Sequence, residues 1–199
     1  MAYSREILVI LSSYIIGCIS TGYYLTLIYT GKDIRHLGSG SCGARNVGRV
    51  LGKRGFIITF FADMAKGMLV VWIGTYWGIN GWARWLSVIC VLAGHIWPAQ
   101  NKFQGGKGIA VTIGALLVLN YLIVLYALIV FGLGYIVSKK YTTSSAIAIL
   151  AMPIYAILVK NHWLDVIWVT IIMSIILFAH RRNIYQFFSR VSIKGDQRI

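Results

Sequence analysis

From Gly108 to Ser138 the chain carries no charged side chain. At 1.5 Å per residue that stretch would be about 46 Å long as a single helix. The hydrocarbon core of a bilayer is only about 30 Å thick. A segment of this kind has no place in a water-soluble domain, so it must lie in lipid. The rest of the chain agrees. Hydrophobic residues make up 58% and charged residues 12%, and the mean hydropathy is +0.75. Soluble domains sit near 45–50% apolar and about 25% charged. With 199 residues the chain is expected to form one domain over 1–199. The expected fold is all-α, multi-pass and integral to the membrane.

The charge balance orients the spans. There are 19 Lys+Arg against 5 Asp+Glu, a formal net charge of +14. The basic residues cluster at Lys32 to Arg54, Lys102 to Lys107, Lys139-Lys140, and from Arg181 onward. The positive-inside rule places all four clusters on the cytoplasmic side. They can all be there only if Gly108–Ser138 crosses twice, turning near Asn120-Tyr121. Seven spans follow, some of them short: 7–29, 56–77, 82–97, 108–119, 121–138, 143–159 and 163–179. The N-terminus is then outside and the C-terminus inside. All basic residues but Arg5, Arg84, Lys160 and the intrahelical Lys66 lie on the inner side. No small-residue cleavage site follows the first span, so a retained helix is expected there. No internal repeat suggests an inverted-repeat carrier.

Cys18, Cys42 and Cys90 form no CxxC pair and are expected to be free thiols. The acids Glu6, Asp33, Asp63, Asp165 and Asp196 are scattered. Metal-assisted phosphoryl chemistry wants clustered carboxylates. No metal site and no cofactor are therefore expected, and phosphate would be held by cations and backbone N–H groups.

Three constellations fall on the inner side. The first is Gly38-Ser39-Gly40-Ser41-Cys42-Gly43-Ala44-Arg45-Asn46-Val47-Gly48-Arg49. Its glycines allow an anion-binding nest, and Ser39, Asn46, Arg45 and Arg49 supply donors suited to phosphate. A basic juxtamembrane loop touching lipid headgroups would have similar composition. The second stretch opens at Gly94-His95 and ends in Gly105-Gly106-Lys107-Gly108 at a helix start. Helix N-termini attract phosphate, and Lys107 adds a full charge, although the Walker A spacing is missing. His95 alone reads as a satisfied helix-end histidine. The third is His180-Arg181-Arg182-Asn183-Ile184. Topology explains its arginines; it does not explain His180 and Asn183, which share a helix face at i, i+3. Asp63 and Lys66, also at i, i+3, sit inside a span. They form either a structural ion pair or part of an inner-side site.

Taken in order, these motifs resemble the PlsY family of bacterial membrane glycerol-3-phosphate acyltransferases that use acyl-phosphate. The resemblance covers nearly the whole chain. It includes Gly31-Lys-Asp-Ile-Arg35, Gly38-Ser-Gly40 through Asn46-x-x-Arg49, and Asp63-x-x-Lys66-Gly67. It continues in Gly94-His-x-x-Pro98, Phe103-x-Gly-Gly-Lys-Gly108 and His180-Arg-x-Asn-Ile184. Departures are Ser41 where the family usually has Asn, Arg45 where it often has Thr or Ser, and a tail without the usual Gly-x-Glu.

The resemblance implies transfer of an acyl group from acyl-phosphate to the 1-hydroxyl of glycerol 3-phosphate. The products would be lysophosphatidic acid and phosphate, at the cytoplasmic face of a bacterial plasma membrane. Catalytic candidates are then Ser39, Asn46, Arg49, His180 and Asn183. Binding candidates are Gly38, Gly40, Gly43, Arg45, Gly105, Gly106, Lys107 and Gly108. Asp63, Lys66 and His95 would support them. Either His180 or a substrate phosphate would take the hydroxyl proton. Expected partners are the two substrates and membrane lipids; neither nucleic acid nor an obligate protein partner is expected. The alternative reading is a small membrane transporter or channel for phosphate or phosphate esters. That reading needs polar residues along several spans, and these spans hold few beyond Asp63 and Lys66.

Overall fold

The computed structural model describes residues 3–159 and 162–181, and all regular structure among them is helical. The α-helices are α1 (Ser4–Cys18), α2 (Thr21–Thr30), α3 (Ala44–Tyr76), α4 (Gly81–Ile96), α5 (Ile109–Ser138), α6 (Tyr141–Leu158) and α7 (Trp163–Ala179). Short 3₁₀ turns occupy Ile34–His36 and Ala99–Asn101. The chain divides into two compact units, Met1–Val124 and Leu125–Ile199.

Four helical runs are long and apolar enough to cross a membrane: Ser4–Thr30, Ala44–Tyr76, Ile109–Ser138 and Tyr141–Leu158. Trp163–Ala179 is apolar but shorter. These do not map one-to-one onto the seven expected spans. The stretch 7–29, expected to be continuous, is broken at Ile19-Ser20, so α1 and α2 are separate helices. A break inside an apolar segment needs partners for the backbone groups it frees. Two side chains from elsewhere supply them. Lys66 Nζ donates to Gly17 O (3.2 Å) and Ile19 O (3.0 Å), and Gln100 Nε2 donates to Cys18 O.

α3 begins at Ala44, well before the expected start at 56. Gly52 at φ 74°, ψ −168° leaves helical geometry and kinks the helix between the turns that carry Arg45 and Arg49 and the longer segment from Lys53 onward. The expected pair 108–119 and 121–138 lies within α5, whose backbone departs from helical angles at Asn120 (φ −159°, ψ 91°). There the Asn120 side chain accepts from the Leu122 N–H at 3.2 Å. α4, α6 and α7 occupy the stretches 82–97, 143–159 and 163–179.

In the first unit α1 crosses α4 where Gly17 and Gly94 bring the two backbones into contact; a Cβ on either would overlap the other helix's carbonyls. Tyr14 reinforces the crossing by donating to Trp97 O at 2.9 Å. Val70, Val91 and Val111 form a buried cluster with Ile16 against it, so α1, α3, α4 and α5 share one core. The opposite face of α1 presents Ile7, Leu8, Leu11 and Ile15, each more than half exposed. In a membrane protein that face meets lipid. In the second unit α6 packs on α7, and the Tyr126 and Tyr155 rings lie against each other with centroids 4.8 Å apart, tilted by 31°.

Candidate active site

The glycine-rich loop before α3 is held from three directions. Asp33 Oδ1 accepts from the Arg35 N–H (2.9 Å), starting the 3₁₀ turn, and both its carboxylate oxygens accept from Arg35 Nε at 2.9–3.0 Å. The guanidinium beside it keeps the Asp33 carboxyl below the usual carboxylate range. Arg35 then reaches across to donate to Asn101 O at 2.9 Å. This ties the first loop to the second.

Asn46 gives the loop its shape from inside. It is buried in the opening turn of α3, and its amide makes three loop contacts. Oδ1 accepts from the Ser39 N–H (2.7 Å), and Nδ2 donates to Leu37 O (2.9 Å) and Ser41 O (3.0 Å). Gly38 sits at φ 58° directly over that amide, and a Cβ there would overlap Oδ1. Both the positive φ and the contact require glycine. Ser39 is left exposed at the tip.

The two glycine turns meet at Cys42. Its N–H donates to Gly105 O (3.1 Å), and its Sγ lies 3.4 Å from Gln104 O. Burial pushes the Cys42 thiol up to about 11, so at neutral pH it is not a thiolate nucleophile. Gly43 follows as the N-cap of α3, its N–H donating to Ser41 Oγ at 3.2 Å. Gly40 lies in the turn between these contacts, with its N–H on Leu37 O.

Three cations border this junction. Arg45 and Arg49 lie one turn apart on α3 and are exposed; Lys107, half-buried, precedes α5. Burial, then the charges of Arg45 and Arg49, lower the Lys107 ammonium to about 8. Among the described residues no carboxylate pairs with Arg49 or Lys107. Such a grouping is unfavourable by itself and is relieved by an anion. The setting suits phosphate, with Gly108 leading into the helix N-terminus behind Lys107.

Beneath the second turn lies a buried polar network. Lys66 Nζ is 3.0 Å from Asp63 Oδ1 and 2.8 Å from His95 Nδ1. A lysine can only donate, so His95 Nδ1 accepts and the ring proton sits on Nε2. His95 O in turn accepts from the Gly106 N–H at 3.0 Å. The structure thus gives Asp63, Lys66 and His95 a common location next to the Gly105–Gly108 turn.

His180, in the second unit, caps α7 through its N–H to Ile176 O and Leu177 O, both 3.0 Å. Its Nδ1 lies 2.8 Å from Ile176 O and must be the donor there. Asn183 lies outside the described residues. Sequence reasoning gives no role to Asp33, Arg35, Cys42 or Gln100. The only available signal is the short-range Asp-x-Arg spacing ahead of the glycine loop.

The comparisons with known proteins converge on this architecture. A family model described as "Glycerol-3-phosphate acyltransferase" matches residues 7–190. The chain is 35% identical to glycerol-3-phosphate acyltransferase 1 of Desulfitobacterium hafniense, covering 94% of this chain and 93% of that one. It is 38% identical to the glycerol-3-phosphate acyltransferase of Clostridioides difficile, covering 96% of each. Among solved structures it resembles PlsY (YgiH), an integral membrane glycerol 3-phosphate acyltransferase, in its glycerol 3-phosphate form. That match has a TM-score of 0.85 and 25% identity over 92% of each chain. The apolar helices are those of an integral-membrane protein, and the chain belongs to the glycerol-3-phosphate acyltransferase family.

Proposed function

We propose that this protein transfers an acyl group from acyl-phosphate to the 1-hydroxyl of glycerol 3-phosphate. The observation that carries this reading is the junction at Cys42–Gly105, where Arg45, Arg49 and Lys107 border two glycine turns. Both substrates carry phosphate, and both can be recognised by such a surface.

The glycerol hydroxyl oxygen attacks the acyl carbonyl carbon, the acyl–phosphate C–O bond breaks, and inorganic phosphate leaves with that electron pair. The hydroxyl proton passes to a substrate phosphate or to His180. Acyl-phosphate is already activated, so orientation and charge stabilisation supply most of what is needed. Lys107 with the Gly105 and Gly106 backbone holds one phosphate. Ser39, Arg45 and Arg49 hold the other phosphate or the developing oxyanion, and Asn46 keeps their loop in shape. His180 and Asn183 orient the glycerol hydroxyl. On the same reading the chain has seven spans with its N-terminus outside, and the site faces the cytoplasm.

The test is turnover by purified protein given acyl-phosphate and labelled glycerol 3-phosphate, with acyl-CoA as control donor. Labelled lysophosphatidic acid from acyl-phosphate alone is expected. No product from either donor overturns the reading, and product from acyl-CoA alone overturns the donor assignment.

A further inference from the structure

The Lys66 ammonium has three hydrogen-bond acceptors and one ion-pair partner, and they belong to three different parts of the chain. Gly17 O (3.2 Å) and Ile19 O (3.0 Å) come from the break between α1 and α2. Asp63 Oδ1 (3.0 Å) comes from its own helix, and His95 Nδ1 (2.8 Å) from the end of α4. An intramembrane charge is costly unless it is paired in this way. The helix break and Asp63 alone give the ammonium a carboxylate and two carbonyls. His95 is the one partner that leads elsewhere.

It leads to Gly106. The ring's Nε2 edge faces the Gly106 Cα so closely that a Cβ there would overlap the ring. The His95 carbonyl takes the Gly106 N–H (3.0 Å), and the neighbouring Ile96 carbonyl takes the Gly105 N–H (3.1 Å). The turn is therefore seated on His95 through both backbone and ring, and Lys107 is the next residue. From Gly105 the same scaffold continues through Cys42 to the N-cap of α3.

We propose that Lys66 and His95 are positioning residues of the active site. The Lys66 ammonium anchors the His95 ring to the α1–α2 break, and the ring sets the height and tilt of the Gly105–Lys107 turn that receives phosphate. This rests on the phosphate-handling reading above. A sub-ångström displacement in such a turn is enough to lower kcat/KM about tenfold.

Lys66→Met strands Asp63 and the two carbonyls, so it tests folding as much as positioning. His95→Asn separates the two effects. It keeps an acceptor near the Nδ1 position for Lys66 and withdraws the ring from Gly106. Two readouts are taken on full-length protein in detergent: amide hydrogen exchange, and steady-state kinetics with glycerol 3-phosphate. For His95→Asn, exchange over 104–108 should rise roughly tenfold or more while α1 and α4 keep wild-type protection. KM for glycerol 3-phosphate should rise about tenfold, with kcat changed much less. Wild-type exchange and KM in the folded variant overturn the proposal. So does a uniform loss of protection across α1, α4 and the turn, which marks a merely structural role. An inactive wild type would sink the function reading, while the exchange data would still decide this one.

Discussion

The Cys42 N–H donates to the Gly105 carbonyl at 3.1 Å, and this bond joins two glycine turns that are far apart in sequence. The turns carry opposite halves of the cation cluster: Arg45 and Arg49 follow one, Lys107 follows the other. Whatever loosens either turn therefore moves cations relative to one another.

Asn46 is the first place to look. Asn46→Asp keeps the acceptor for Ser39 and loses both donors, leaving Leu37 O and Ser41 O without them. Leu37 O keeps the Gly40 N–H, whereas Ser41 O is stranded at a cost of about 1–3 kcal/mol. The expected result is a lower thermal midpoint in detergent together with lower kcat/KM, and Asn46→Ala should be worse on both counts. An Asn46→Ala protein that is fully stable yet inactive would instead put the amide on the substrate itself.

Lys107 sets a pH dependence. Its ammonium titrates near 8 in the folded chain against 10.5 ordinarily, chiefly through burial. Between those values the unfolded chain binds the additional proton, so stability rises with pH across that window. The penalty of the half-buried cation is fully present below about 8. Anion binding runs the other way, since only the protonated form attracts phosphate. KM for glycerol 3-phosphate should climb above pH 8, and Lys107→Arg should flatten the profile, because arginine stays charged. Kinetics between pH 7 and 9.5 would check both.

Gly106→Ala should fail at the site and spare the helices. The added methyl overlaps the His95 ring, and the ring is fixed on its other edge by Lys66. The turn must yield, with kcat/KM falling about 10²-fold. Circular dichroism should show wild-type helicity.

Topology makes its own prediction. Cysteines placed at Lys140 and Arg182 should be labelled from the same side of the membrane as one placed at Lys102. Labelling of Lys140 from the opposite side would mean that α5 crosses once and would remove the seven-span arrangement.

The apolar helices were legible because the bilayer demands uninterrupted runs, and Gly108–Ser138 is such a run. The α1–α2 break was not. Ile19-Ser20 contains neither glycine nor proline, and its cause lies in Lys66 and Gln100, far along the chain. The early start of α3 was hidden because Gly48, Gly52 and the basic residues around them read as loop. At the site, Arg45, Arg49 and Lys107 were visible as a class, because cations set among glycines stand out in so apolar a chain. The task of Asn46 was not, because its partners are backbone atoms that carry no sequence signature. Asp63 and Lys66 were visible as a pair, but the third member, His95, looked like an isolated helix-end residue until the fold placed its ring on the ammonium.

The burial of Cys42 has a practical side. Maleimide reagents attack the thiolate, and a thiol raised to about 11 offers roughly one thiolate in ten thousand molecules at pH 7. Cys18 is buried as well, and Cys90 is partly covered. A cysteine introduced at an exposed position such as Lys102 should therefore outcompete the native thiols for reagent. The side of the membrane on which each loop lies can be mapped without first stripping the chain of the cysteine that joins its two turns.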